Sequence, residues 1–323
     1  MKKKENKCKI CRNKENNKLY NVKEMMFGLR ESFTYMQCGD CDCLQLETIP
    51  NDLEKYYPPE YYSLSVTKKS FLGEVKRKLR VIRNTYAFEG KGIFGKILDL
   101  HCKTPSDIMA FANFNPSKDA NILDVGSGNG DFLRNLSDLG FVNLLGVDPF
   151  VKNKISNIKI IRGALGDIKG KWDYIFFNHS FEHMEGPERI FRKVRELLSN
   201  DGKCIIRIPI FPSYAWKKYG TNWVQLDAPR HFYIHSIKSI KILANHVGLE
   251  VENMVYDSTE FQFWGSELYK MGIPLKNVQL RKYFTNANIR EFKKEAKRLN
   301  KERKGDQAIF YLRSVSKNTS KTI

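Results

Sequence analysis

Leu123-Asp124-Val125-Gly126-Ser127-Gly128-Asn129-Gly130-Asp131-Phe132-Leu133 decides the fold. An apolar run enters a glycine turn. The chain leaves that turn into a helical pattern with Phe132, Leu133, Leu136 and Leu139 on one side and Gly140 past its end. Strand, glycine turn and helix in that order place a ligand at the carboxyl edge of a sheet. Glycines there let backbone approach the ligand in conformations closed to other residues. The spacing narrows the ligand class. A dinucleotide fingerprint carries its third glycine three positions after the second. Here Asp131 holds that position, and its charge would repel a diphosphate. The next apolar run, Leu144-Leu145-Gly146-Val147, ends at Asp148, a carboxylate able to accept both hydroxyls of a ribose. Together these features point to a nucleoside-type ligand without a diphosphate.

Working outward, residues 121–125, 144–147, 158–161, 172–177 and 203–208 read as strands, and 131–139, 187–198 and 236–247 as helices. Strands alternating with helices of that length pair in parallel through right-handed crossovers. The expected fold class is therefore α/β, a Rossmann-like doubly wound sheet. Residues 307–315 alternate like one more strand, which makes 257–305 an inserted helical segment before the last strand. Residues 1–50 are rich in Cys and Lys and expected to form a small zinc-ribbon-like module. Residues 51–117 read as an aromatic linker and helical segment, and 118–323 as the ligand-binding domain.

Over residues 121–256 the chain resembles the class I methyltransferases that use S-adenosylmethionine. The resemblance implies that Gly126 and Gly128 line this cofactor, Asp124 helps hold its amino-acid portion, and Asp148 binds its ribose. In Arg162-Gly163-Ala164-Leu165, Ala164 stands where the family contacts adenine through backbone. The acidic residue often found there for the adenine amino group is absent.

After the fourth strand comes Phe177-Asn178-His179-Ser180-Phe181-Glu182-His183. Methyl transfer to a hydroxyl needs alignment and a group to remove the proton. A neutral imidazole suits that task near pH 7, so His183 is the candidate base and Glu182 its orienting partner. The alternative is that His183 satisfies a buried carbonyl, while His179 is expected to contact the cofactor. The Glu-His pair resembles that of methyltransferases acting on quinones and sugars. Sugar C-methyltransferases carry a tyrosine two residues before the glutamate. Ser180 stands there instead, which favours transfer to oxygen. The long excursion from 209 to 235 holds Tyr214, Trp216, Trp223 and Leu226-Asp227-Ala228-Pro229-Arg230-His231-Phe232. Asp227, Arg230 and His231 could bind acceptor hydroxyls or an anion, or Asp227 and Arg230 could form an internal ion pair. The stretch resembles a signature of methyltransferases found with bacterial surface-polysaccharide genes, together with Ala296 to Asn300 and Gly305 to Ala308. That resemblance implies a sugar-nucleotide or glycan acceptor.

Cys8-x2-Cys11 and Cys38-x2-Cys41 are two knuckles separated by 26 residues. Four thiolates can close a tetrahedral structural zinc site in a segment too small to build its own core. Cys43 could substitute for Cys41, and Cys102 and Cys204 read as lone small apolar residues. The tyrosines that follow, Tyr56, Tyr57, Tyr61 and Tyr62, flank two prolines. The resemblance places Tyr61 or Tyr62 at the acceptor, and packing of a linker is the plain alternative.

A 41% apolar share and 12% aromatics across 323 residues exclude a disordered chain. The basic start, followed by cysteines rather than an apolar stretch, argues against a secretory signal, and cytoplasmic location is expected. Of the net charge of +19, a dense share lies between Arg281 and Lys304. There the mixed signs at helical spacing read as a solvated face. RNA or tRNA methylation through that basic surface, sugar C-methylation, and a zinc-module adaptor that merely binds nucleoside are the competing readings. No Asn/Asp-Pro-Pro-Tyr-type motif follows the fourth strand, which counts against a nucleic-acid partner. No apolar run is long enough to span a membrane, but the basic, partly apolar helix of residues 71–86 allows peripheral membrane contact.

Overall fold

The computed structural model describes residues 7–57, 71–151 and 158–315. In chain order come β1 (Lys18–Lys23), β2 (Ser32–Gln37) and β3 (Leu44–Leu46), then α1 (Phe71–Glu89), α2 (Ile93–His101) and α3 (Ser106–Ala112). The alternating part follows: β4 (Ile122–Val125), α4 (Asp131–Asp138), β5 (Leu144–Asp148), β6 (Lys159–Arg162), β7 (Trp172–Asn178), α5 (Pro187–Leu197) and β8 (Leu198–Pro209). After it stand α6 (Tyr214–Tyr219), β9 (Tyr233–Ile234), α7 (Ile237–His246), β10 (Leu249–Tyr256), α8 (Phe261–Lys270), α9 (Asn286–Lys301) and β11 (Gln307–Ser314). Seven of these strands form one sheet in the order β10-β11-β8-β7-β4-β5-β6. β4 pairs in parallel with both β5 and β7, so strand order reverses beside β4, the position at which α/β sheets hold ligands. This is the Rossmann-like doubly wound fold expected from the sequence.

Two compact units divide the chain. One comprises Pro59–Asn178 and Glu196–Ile205. Its β4 is buried at all four residues, as a strand flanked on both edges must be. Phe111 anchors its core, with ring centroids 4.8 Å from Tyr174 and 5.2 Å from both Phe141 and Phe176. α4 turns Phe132, Leu133 and Leu136 inward and keeps Asp131 in its first turn, where a carboxylate complements the helix dipole.

The other unit comprises Met1–Pro58, His179–Arg195 and Ile206–Ile323. The three cysteine-flanked strands do not form a sheet by themselves. β9 joins them in the antiparallel order β1-β2-β3-β9, with Leu44 opposite Ile234 and Gln45 opposite Tyr233. β10, not read as a strand from sequence, pairs antiparallel with β11 through a bulge between Val251 and Asn253. α8 and α9 fill the segment between them. Along α9, Ala296 and Leu299 are buried, while Arg298 bonds Glu295 and Glu302 in solvent, the solvated basic face that its charge pattern predicts. Among the described residues no helix is long and apolar enough to cross a membrane.

Candidate active site and metal centre

The glycine loop follows β4. Gly126, Gly128 and Gly130 hold φ of 76°, 49° and 72°, left-handed values that side chains rarely adopt. A Cβ on Gly130 would also stand 2.7 Å from Ile160 Cδ1. The carboxylate of Asp148 accepts from the backbone N–H of Gly128 (2.9 Å) and of Phe150 (2.8 Å). These two bonds fix the carboxylate at the end of β5 and leave each oxygen a second lone pair for a hydroxyl. Asp124 is 3% exposed and its Oδ1 has no hydrogen-bond partner. Burial, and then the charges of Asp107 and Asp148, push its pKa up to about 8. A buried oxygen without a partner, on a carboxyl that burial keeps neutral, is a place where an incoming cation would restore the charge and gain a partner. The ammonium of an amino-acid moiety fits it. Ala164 is placed less simply, because its N–H donates to Asp167 Oδ2 (2.9 Å) and is already engaged.

The second cluster lies within the other unit. Phe181–His183 form a single 3₁₀ turn after β7. His183, half-buried, has its Nδ1 2.8 Å from the carbonyl of Arg230 and 3.3 Å from the hydroxyl of Tyr57. A carbonyl can only accept, so Nδ1 carries the hydrogen and Nε2 keeps its lone pair. The Nδ1 of His231 donates likewise to Gln225 O at 2.8 Å, and the two rings meet edge to face at 4.7 Å. Burial, and then repulsion from His231, lower the His183 pKa, with Glu182 opposing. Glu182 is fully buried and accepts no hydrogen bond in good geometry. His179 Nδ1 lies 3.5 Å from it and His231 Nε2 3.9 Å. Burial raises its pKa, but the three surrounding histidines outweigh that and bring it to about 2.

His179 is held in this cluster by a chain of contacts. Its Nε2 accepts from Arg207 Nη1 at 2.8 Å, and Arg207 in turn pairs with Asp257. His179 and Asp227 both keep left-handed φ, 51° and 38°. Such conformations cost a non-glycine residue about 1–3 kcal/mol and gather at functional sites.

The structure alters the expectation for Arg230. Its side chain is fully buried, with Nη2 bonding Asp227 Oδ1 (2.6 Å) and Glu24 Oε1 (3.0 Å), and Nη1 bonding Tyr56 O. Its donors are committed to internal partners. Of the two readings given for it, the internal pair is the one its guanidinium adopts, and it is the Arg230 carbonyl that bonds His183 Nδ1. Asp227 is taken up by the same pair. Tyr62 lies outside the described residues, as does Tyr61. From that aromatic cluster it is Tyr57 that reaches His183. Sequence reasoning missed Glu24, Tyr57 and Arg207. Only Tyr57 carried a signal, its place in the tyrosine run.

The motif at Ala296–Asn300 and Gly305–Ala308 proves to be a structural joint. Asn300 exchanges two bonds with the backbone of Ser258 (2.9 and 3.1 Å), and Ser258 Oγ accepts from the N–H groups of Asp306 and Gln307. Asp306 accepts from the indole of Trp223 at 2.9 Å.

Cys8, Cys11, Cys38 and Cys41 converge, with all sulfurs within 4.8 Å of one another. The Cys8–Cys41 and Cys11–Cys38 pairs stand 3.6 and 3.4 Å apart. A tetrahedral site with Zn–S bonds of about 2.3 Å needs about 3.8 Å between sulfurs. Backbone N–H groups point at the sulfurs, Ile10 at Cys8 and both Asp40 and Cys41 at Cys38, as support for thiolate charge requires. The donor set fits a zinc ion. Cys43 stands outside it, buried 3.9 Å from His235 Nδ1. Cys204 is buried as expected. Cys102 is exposed and 3.2 Å from Arg83, contrary to an apolar role.

Residues 99–253 match the family described as a methyltransferase domain, a little under half of the chain. The match makes that segment similar to a methyltransferase domain, and dependence on S-adenosylmethionine is what that family implies. Similar solved structures include an S-adenosylmethionine-dependent methyltransferase from Mesorhizobium loti, 17% identical with a TM-score of 0.42. The alignment covers 65% of this chain and 98% of that one. Another is a sarcosine dimethylglycine methyltransferase from Galdieria sulphuraria (17% identity, TM-score 0.40, 61% and 78% covered). A third is the 1,6-didemethyltoxoflavin-N1-methyltransferase of Burkholderia thailandensis (12% identity, TM-score 0.38, 78% and 94% covered). No curated protein matches the chain.

Proposed function

We propose that the chain is an S-adenosylmethionine-dependent O-methyltransferase acting on a hydroxyl of a sugar nucleotide or glycan, with a structural zinc ion on Cys8, Cys11, Cys38 and Cys41. The observation that carries the reaction type is the state of His183. Its Nδ1 hydrogen is spent on a backbone carbonyl, its Nε2 lone pair remains available, and its lowered pKa keeps it neutral near pH 7. The cofactor supplies an electrophilic methyl group on a sulfonium. Asp124 would hold the cofactor's ammonium, Asp148 its ribose, and Gly126 and Gly128 would admit its backbone-side edge. His183 Nε2 would take the acceptor hydroxyl's proton as the new carbon–oxygen bond forms, leaving a methyl ether and S-adenosylhomocysteine. Glu182, ionised and buried, would stabilise the imidazolium so produced. The saccharide class rests on the resemblance of residues 226–232, and the absence of a tyrosine at Ser180 supports oxygen over carbon as the methylated atom.

The test is turnover with a panel of sugar nucleotides and lipid-linked glycans, followed as S-adenosylhomocysteine release. His183→Ala should cost roughly 10²–10⁴-fold in turnover, the range of general base catalysis, with cofactor affinity retained. An unchanged rate in that variant removes His183 as the base.

A further inference from the structure

The helical hairpin of α1 and α2 exposes apolar side chains that nothing in the methyl-transfer reading employs. Helix α2 carries Ile93, Phe94, Ile97 and Leu100, at positions that share one side of a helix, and they are 45–75% exposed. The opposite side of α2 meets α1. A Cβ on Gly95 would stand 2.5 Å from Tyr86 Cβ and 2.9 Å from the carbonyl of Ile82, so the two helices touch there. The stripe on α2 is therefore turned away from its partner helix. On α1, Val75, Leu79 and Ile82 follow the same i, i+4, i+7 spacing and are 42–45% exposed. Scattered apolar residues on a surface mean little, but four such side chains in one stripe along α2, Phe94 among them at 75% exposure, are of the kind that marks an interaction site.

The charge around the patch selects the partner. Residues 71–103 contain eight Lys and Arg against three Asp and Glu, a net of +5. Arg77 and Arg80 are turned to Asp138. Lys76 and Lys78 instead flank the α1 stripe on either side by helical angle, and Lys96 flanks the stripe on α2. Lys91 stands in the turn just before Ile93 and Phe94. Long lysine stems beside apolar side chains can lie along an interface with the ammonium in the polar layer. A second copy of the same face would bring like charges together, whereas an anionic lipid surface complements them.

We propose that this hairpin docks the protein peripherally on an anionic membrane surface, with Phe94 and its neighbouring aliphatic side chains entering the boundary between headgroups and acyl chains. The full-length protein should co-sediment with large vesicles of phosphatidylcholine containing phosphatidylglycerol, and roughly tenfold more weakly with phosphatidylcholine alone. Raising the salt should weaken the anionic binding. The double variant Ile93→Glu/Phe94→Glu should lose it by at least roughly tenfold, and Lys91→Glu/Lys96→Glu should weaken it. Wild-type protein that stays in the supernatant, or a double variant that sediments equally well, overturns the proposal. So does light scattering that shows a dimer which the double variant dissolves while vesicles remain unbound, because a second copy then covers the patch. A fall in Tm of more than about 5 °C in the double variant, with no vesicle binding by wild type, assigns the patch to the chain's own interior. It overturns the proposal as well.

Discussion

Asp124 shows how a single residue can be worse for the fold than for the function. In the unfolded chain its carboxyl ionises near pH 3.9, whereas in the fold it does so near 8. The folded pKa is raised, so its contribution to stability is complete below about pH 4 and is lost as pH rises toward 8. Asp124→Asn removes the cost of keeping that group neutral. The variant should therefore be more stable than wild type at pH 8, by up to roughly 5 kcal/mol in urea unfolding, with the difference shrinking toward pH 4. Saturating S-adenosylmethionine should raise the Tm of wild type more than that of the variant, because the ammonium has lost its carboxylate. A variant less stable than wild type at pH 8 would contradict the argument. At this scale the sequence was informative where a residue type is forced by backbone. Gly126, Gly128 and Asp148 could be named because a left-handed turn and a strand-end carboxylate each leave a local mark. Arg230 could not be resolved, since an arginine three residues from an aspartate reads alike as an acceptor ligand or an internal pair. Only the position of Glu24, some two hundred residues away in sequence, decides for the second.

Among elements, alternation of apolar runs with amphipathic segments was sufficient to place β4 to β8 and their helices, because each buries a face set by its own period. The partnership of β3 with β9 was not legible. β9 is two residues long, and a pairing so short has no periodicity of its own. β10 was missed because exposed Glu252 and Asn253 beside its bulge break the alternation. The joint between α9 and β11 was visible as a motif, but its meaning was not. Gly305 explains the motif, since a Cβ there would stand 2.5 Å from both Asn300 Oδ1 and Ser258 Oγ. Those two atoms already tie the end of α9 to the start of β11. Gly305→Ala should break that exchange and cost roughly 1–3 kcal/mol in chemical denaturation. A loss below a few tenths would mean that the side chains step aside without giving up their bonds.

For the molecule as a whole, the cysteine centre and the histidine cluster belong to one compact unit and the glycine loop to the other. Within the first unit the connections are specific. Tyr35 donates to the carbonyl of His231 (2.7 Å), Glu24 pairs with the buried Arg230 whose carbonyl orients His183, and Ser236 donates to the carbonyl of Cys41. A zinc ion on the cysteine knuckles would therefore also fix the strand that carries Tyr35 and the end of β1 beside Glu24. Its binding would then be folding free energy for the segment. Cys38→Ser should therefore lower the zinc content measured by mass spectrometry from one ion per chain, lower the Tm, and abolish methyl transfer. Affinity for S-adenosylmethionine, which the proposed function assigns to Asp124, Asp148 and the loop of the other unit, should change by less than roughly tenfold, or about 1.4 kcal/mol. Full turnover in zinc-free protein would separate the two clusters. Equal loss of cofactor binding would show that folding of the glycine loop's unit depends on the metal as well.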